Sequence, residues 1–375
     1  MIYLDNPATS RQKPFPVIAS LFSNTLKNSI NAGRGSHRYS LRGAALLEEA
    51  AEELSLLFGI SDVSRIAFTQ NATYALNMAI GGVLAGGGHA IVTSMEHNSV
   101  LRPVHARGAY TMVWADSEGY VSPADIEAVI GEDTRLIVCT HVSNVCGSIQ
   151  PIAQIGEIAR QHNVLFLVDA AQSAGSLDID IGDMNIDLLA FSGHKGLMGP
   201  MGTGGLYVGE RAELTPIITG GTGSNSDSLT QPDILPDMLE AGTQNVPAIA
   251  ALGRAAAFVR EIGTGRILAH ERALAVEFIG LVSGVNGVKI LGGKDMKKRN
   301  GTVAFTIEGI ASAEASERLD RDYKIAVRGG WHCAYTAHKT LGTSEHGAVR
   351  AGFGFYNSRN DVKKLADAVK ELANS

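Results

Sequence analysis

The chain has 375 residues, of which 45% are apolar and 19% charged, with a formal charge of −6. That is ordinary globular usage and excludes a disordered chain, and the 43 glycines follow no collagen period. No apolar run approaches the ~18–20 residues of a membrane span, and no basic stripe marks the chain, so neither membrane nor nucleic acid is an expected partner.

The opening Met1-Ile-Tyr-Leu-Asp5 carries no basic n-region or long apolar run, so no secretory leader is expected. The cysteines Cys139, Cys146 and Cys333 are too sparse for a disulfide framework, and a reduced, cytoplasmic setting is expected. In chain order, Arg65–Thr69 predicts a short strand, followed by Gln70-Asn-Ala-Thr73 and a helix through Ile80. Ala90–Ser94, Leu136–His141 and Val164–Val168 predict further strands, with a helix at Ala153–Gln161. These runs are almost continuously apolar, as in strands covered on both faces, and the alternation predicts an α/β fold with a mostly parallel sheet. Gly220–Pro236 reads as a long surface loop and the basic cluster Lys294–Arg299 as a solvated turn. Beyond a helix at Ala248–Glu261 come shorter pieces, Val303–Ile307, Ala313–Arg321 and a last helix from Asp361. The expected division is a large domain over 15–250 and a smaller α+β domain over 251–375, with residues 1–14 packing on the small domain or the active site.

The chemistry centres on Ser192-Gly-His-Lys195-Gly196, which follows the apolar Leu188–Phe191. A lysine there is poorly placed for solubility; desolvated, it can form a Schiff base, although a structural lysine remains the alternative. Asp169 ends the strand Val164–Val168, at the edge where open α/β sheets bind ligands. Lysine and aspartate together are the pair that pyridoxal phosphate needs. Asn71-Ala72-Thr73 opens a helix and offers an anion site or a plain N-cap. His97 and Asn144 follow other strands, where an imidazole can stack on a ring and move protons. The glycines of Gly202-Thr-Gly-Gly205 fail the dinucleotide spacing and read as a turn into the strand Leu206–Val208.

The ordered set Tyr3-Leu-Asp-Asn-Pro-Ala-Thr9, Asn71-Ala-Thr73, Glu96-His-Asn98, Ser143-Asn-Val-Cys-Gly147, Val168-Asp-Ala-Ala-Gln172, Ser192-Gly-His-Lys195, Glu240-Ala-Gly-Thr243 and Arg328-Gly-Gly-Trp-His-Cys-Ala334, with Arg350 downstream, resembles the class V aminotransferase superfamily. Within it the chain is similar to the cysteine desulfurases, in the group with an Arg-x-Gly-x-His-Cys-Ala motif. The resemblance implies a fold-type I pyridoxal-phosphate enzyme, with a mostly parallel seven-stranded sheet and a smaller C-terminal domain. It implies Lys195 as the lysine that bonds the cofactor, Asp169 at the ring nitrogen, Gln172 at the ring hydroxyl and His97 on the ring face. It implies that Ala72, Thr73, Ser192 and His194 hold the phosphate, with Thr243 reaching the phosphate of a second copy in a homodimer. Asn144 and Arg350 would bind the substrate carboxylate, Arg328 would join them in binding the substrate, and no metal is implied.

Cys333 selects the reaction. A plain aminotransferase needs no thiol, whereas a desulfurase uses a thiolate to take sulfur from L-cysteine, leaving a persulfide and L-alanine. A sulfur-acceptor protein is then an expected partner. Selenocysteine lyase, acting on L-selenocysteine, shares nearly every residue; an aminotransferase-like or non-catalytic relative is a further alternative. Two departures from the family pattern are Pro7, where Ala or Gly is usual, and Cys146, read as a second thiol or a small packing residue.

Overall fold

The computed structural model describes residues 1–33 and 35–374. Its first part runs β1 (Ile2–Tyr3), α1 (Phe15–Lys27), α2 (Arg38–Phe58), β2 (Ile66–Thr69), α3 (Ala72–Val83), β3 (His89–Thr93), α4 (Asn98–Arg107) and β4 (Tyr110–Val113). It continues through α5 (Pro123–Glu127), β5 (Thr134–Thr140), α6 (Ile152–Gln161), β6 (Leu165–Asp169), β7 (Leu188–Ser192) and β8 (Gly204–Val208). The second part comprises α7 (Val246–Ile262), α8 (Thr264–Val282), β9 (Val288–Ile290), β10 (Thr302–Ile307), α9 (Ser312–Tyr323) and β11 (Ile325–Ala326). β12 (Arg328–Gly330), α10 (Tyr335–Thr340), β13 (Ala348–Gly352) and α11 (Arg359–Ala373) complete it.

Successive strand residues point to opposite faces, and here both faces are dry. Ile137, Phe166, Val168, Leu189 and Phe191 join one buried cluster, while Leu136, Val138, Leu167, Leu188 and Ala190 join another. That is why these strands read as unbroken apolar runs. The seven-stranded sheet has the order β2-β8-β7-β6-β5-β3-β4. It is parallel except at β8, which runs antiparallel to both β2 and β7. The parallel strands therefore end along one edge, and Thr93, Thr140, Asp169 and Ser192 all lie there.

The second sheet is antiparallel, in the order β12-β13-β10-β9. Leu274, Phe278, Phe305, Leu319, Phe353 and Leu365 fill its core together with Leu4 from the N-terminus. β1 pairs with β11 in parallel as a separate two-stranded sheet, and the N–H of Gly352 on β13 donates to the Leu4 carbonyl, so the first residues of the chain are tied to the second sheet. Residues 6–13 then return towards the large sheet: Ser10 and Lys13 bond the carbonyl of His194. The Pro7 ring fills the space where a Cβ at position 352 would stand, so β13 needs Gly352 there. Residue 250 lies within α7.

Strand β4, helices α1 and α2 and the N-terminal pairing lie outside the elements read from the sequence. The cluster Lys294–Arg299 corrects one expectation. Its last residue is not solvated: Arg299 is 1% exposed and donates to the carbonyls of Gly293 and Cys146, both at 2.9 Å. A long stem lets arginine bury its head where backbone carbonyls accept from both terminal nitrogens of the fork. No helix among the described residues is long and apolar enough to cross a membrane.

Candidate active site

A cavity of about 220 Å³ opens at the edge where the parallel strands end. Ala72, Thr73 and Ser192 line one end. His97, Asn144, Asp169, Gln172, His194 and Lys195 line the rest. They arrive from the ends of five strands, β2, β3, β5, β6 and β7, or from the turns that follow them, so the sheet gathers residues that are far apart in sequence.

At the first end α3 presents its N-terminus, where backbone N–H groups and the helix dipole favour an anion. Asn71 caps the helix, its side chain accepting from Tyr74 N–H, and Ala72 N–H donates to Ser192 Oγ at 3.0 Å. Thr73 Oγ1 lies 2.8 Å from Ser99 Oγ, which lies 2.9 Å from His97 Nδ1. Ser99 N–H also donates to His97 Nδ1, so the proton of a neutral His97 sits on Nε2. His194 Nδ1 is buried with no hydrogen-bond partner among the described residues. Burial, with Lys195 adding to it, lowers both His97 and His194 to about 4, and both rings are neutral near pH 7.

At the other end Asp169 accepts from Ala171 N–H at 2.9 Å. Burial raises its pKa, against the pull of that N–H and of Lys195. Burial also lowers Lys195 to about 8, while Asp169 acts in the opposite direction. No described residue hydrogen-bonds the Lys195 amine. A desolvated, unpartnered amine, a facing carboxylate and an anion cradle in one small cavity fit pyridoxal phosphate. Gln172 is held by a bond from its amide to the backbone carbonyl of Pro7 at 2.8 Å.

The small sheet brings up the remaining residues, outside the cavity lining. Arg328 and Arg350 are register partners on β12 and β13. Arg350 is 1% exposed. It pairs with Asp5 Oδ1 at 2.6 Å and donates to the carbonyl of Asn144 at 2.8 Å, while its Nε has no partner among the described residues. Asn144 Nδ2 donates to the carbonyl of His332 at 2.7 Å. Cys333 is exposed, with Arg328 Nη2 at 3.8 Å from its sulfur. His332 and Cys333 both adopt the left-handed region, at φ 51° and 58°, a conformation that costs on the order of 1–3 kcal/mol per residue and marks functional sites when the surroundings enforce it. Lys195 and Arg350 both feel the charge of Cys333. Thr243 is exposed and lies outside the cavity of its own chain.

The other thiols are enclosed. Cys139 lies in β5, where burial pushes the thiol well up. Cys146 is buried against Gly119 and Gly292, with its sulfur 3.4 Å from Ser148 Oγ. Three residues escaped the sequence reading: Ser99, Asp5 and Glu96. Asp5 and Glu96 sit inside motifs that stood out and Ser99 directly follows one, but their partners were not visible. Glu96 accepts from the Thr93 hydroxyl and Thr140 N–H. Burial, reinforced by Asp169, pushes it up to about 8, so it is neutral near pH 7.

Fold and site define a fold-type I enzyme of the pyridoxal-phosphate-dependent class. A family model for class-V aminotransferases matches residues 2–365. A probable cysteine desulfurase of Methanothermobacter thermautotrophicus is 34% identical over 99% of this chain and 94% of its own length. Among solved structures, an apo cysteine desulfurase from Thermococcus onnurineus superposes with a TM-score of 0.92 at 33% identity, covering 100% of this chain and 94% of the other. A cysteine desulfurase from Escherichia coli gives 0.88 at 27% identity, covering 99% and 94%. The chain belongs to the aminotransferase class-V family.

Proposed function

We propose that the protein is a cysteine desulfurase that converts L-cysteine to L-alanine and keeps the sulfur as a persulfide on Cys333. The observation that carries the reading is the exposed Cys333, set in a left-handed turn beside Arg328, because amino-group transfer alone needs no thiol. The names of the relatives support it.

Pyridoxal phosphate, when bound, supplies an electron sink for bond breaking at the substrate. Lys195 would hold it, with Asp169 keeping its ring nitrogen protonated, Gln172 at the ring hydroxyl and His97 on the ring face. Ala72 N–H, Thr73, Ser192 and His194 would bind its phosphate, and Thr243 would reach the phosphate of a second copy in a homodimer. Asn144, Arg328 and Arg350 would hold the substrate carboxylate; a guanidinium fork suits it because it pairs in a bidentate way. Lys195, lowered to about 8 by burial, can then take or return a proton near neutral pH. The Cys333 thiolate attacks the substrate sulfur, so that an S–S bond forms as the substrate C–S bond breaks and the carbon keeps the electron pair. A proton delivered to that carbon completes alanine. The exposed persulfide is then open to a sulfur-acceptor protein, in a cytoplasmic setting. In this reading residues 15–250 form the domain that carries the cavity, and residues 251–375 the smaller domain that carries the thiol.

Alanine and persulfide formation from L-cysteine, measured for the wild type and Cys333→Ser, tests the reading. Alanine production that depends on Cys333 supports it. Turnover of L-selenocysteine that persists in Cys333→Ser, without turnover of L-cysteine, would replace it with a selenocysteine lyase.

A further inference from the structure

The turn that carries Cys333 is held from behind by imidazoles with no part in the chemistry above. His332 Nε2 lies 3.0 Å from the carbonyl of Arg328. A carbonyl only accepts, so Nε2 of His332 carries the proton. In the neutral ring Nδ1 must then accept, and it lies 3.2 Å from His338 Nε2. His338 therefore carries its proton on Nε2, and its Nδ1 accepts from the Thr343 hydroxyl at 2.8 Å. The rings are stacked, with centroids 5.3 Å apart and planes inclined by 25°. Every donor in the series points one way, from Thr343 through His338 and His332 to Arg328.

Both rings are buried. Burial, aided by the positive charge of Arg350, lowers His332 to about 2 and His338 to about 4, so both stay neutral and the direction of the series does not reverse near pH 7. The backbone of the turn is held on the other side as well: Asn144 Nδ2 binds the carbonyl of His332, and Asn98 N–H binds that of Cys333.

We propose that His338 and Thr343 are positioning residues for sulfur transfer: through His332 they fix the left-handed turn at His332–Cys333 and so the place of the thiol. The inference rests on the desulfurase reading for its kinetic consequence, but not for its structural one.

In the holoenzyme, His338→Phe keeps a stacked ring and removes the donor. The kcat for alanine is expected to fall ~30- to 100-fold, the scale of a small displacement of a reacting group. The KM for cysteine and the cofactor absorbance should stay within about twofold. His338→Gln, which offers an amide N–H and a carbonyl, should recover most of the rate. Thr343→Val removes only the last donor and should cost about threefold or more. Hydrogen exchange in a peptide spanning 328–340 should rise in His338→Phe and Thr343→Val but not in His338→Gln. Wild-type kcat in both donor-deleted variants would overturn the proposal, as would an equal loss in Phe and Gln accompanied by altered cofactor absorbance. If the wild type forms no alanine from cysteine, the desulfurase reading falls and exchange decides alone: unchanged exchange overturns the positioning role, and a rise confined to the two donor-deleted variants upholds it.

Discussion

Lys195 follows β7, a strand whose five residues are all buried, whereas Cys333 follows β12, whose three are only half-buried. Around Lys195 the low-dielectric surroundings shift pKa values by desolvation, and the groups that shift them are fixed on neighbouring strand ends. Around Cys333 the backbone is strained and the side chain open, a surrounding suited to a group that must meet a second molecule. The same contrast divides the arginine pair: Arg350 is sealed against Asp5, while Arg328, its register neighbour, reaches the sulfur. In our reading the buried sheet edge binds and activates, and the exposed turn transfers.

The severest break of this contrast is Lys195→Ala, which should abolish alanine formation and remove the borohydride-reducible link between cofactor and protein. Peptide mapping that placed the link on Lys289 would dissolve the assignment. The same lysine has a pH signature. Because burial lowers it from 10.5 to about 8, the cofactor-free protein holds a half-neutral amine near pH 8, and its rate of cofactor uptake should rise through that pH and then level. Between about 8 and 10.5 the unfolded chain binds the extra proton, so the cofactor-free protein should gain stability from this residue as pH rises across that window. A Lys195→Met melting series should lack that gain.

Cys333→Ala should leave the buried half intact. The cofactor band near ~420 nm and its shift on adding cysteine should persist, while alanine release stops. In the wild type, alkylation after adding cysteine should mark a persulfide on Cys333 and not on the enclosed Cys139 or Cys146. Full turnover in Cys333→Ala would remove the thiol from the reaction.

Arg350→Ala should weaken cysteine binding and fold stability together, by about 2–5 kcal/mol when a charged partner is left behind. The half-exposed Asp5 should place the stability loss at the lower end. Asp5→Asn, which keeps an acceptor oxygen, should cost about 1 kcal/mol. Equal cysteine binding by wild type and Arg350→Ala, read by spectral titration, would exclude Arg350 from the substrate site.

A final substitution tests the joint between the two regions. A Cβ at position 352 would collide with the Pro7 ring, so Gly352→Ala should lower stability by about 1–3 kcal/mol. Adding Pro7→Ala should recover part of it in a melting experiment. No recovery would mean that the N-terminal segment yields instead.

Much of the sheet was legible in the sequence. The runs at 65–69, 90–94, 136–141 and 164–168 became β2, β3, β5 and β6 because strands covered on both faces must be apolar throughout. Asp169 and Lys195 stood out for a related reason, being charged residues next to such runs. Ser99, Asp5 and Glu96 did not, since a hydroxyl or carboxylate acquires its meaning only from the group it meets. In the basic cluster only Arg299 was misread, because the carbonyls that receive it come from Gly293 and from Cys146, far back in the chain.

By itself the sequence determined the alternation of strands and helices and the residue types at the strand ends, because hydrophobic period and capping are local properties. Only the tertiary structure decided the antiparallel course of β8, the pairing of Arg350 with Asp5 across 345 positions, and the left-handed turn at His332–Cys333. An apolar strand reads the same in either direction, and an arginine offers its fork to any acceptor. The left-handed turn is held from other parts of the chain, by Asn98 and Asn144 at its carbonyls and by His338 at the His332 ring.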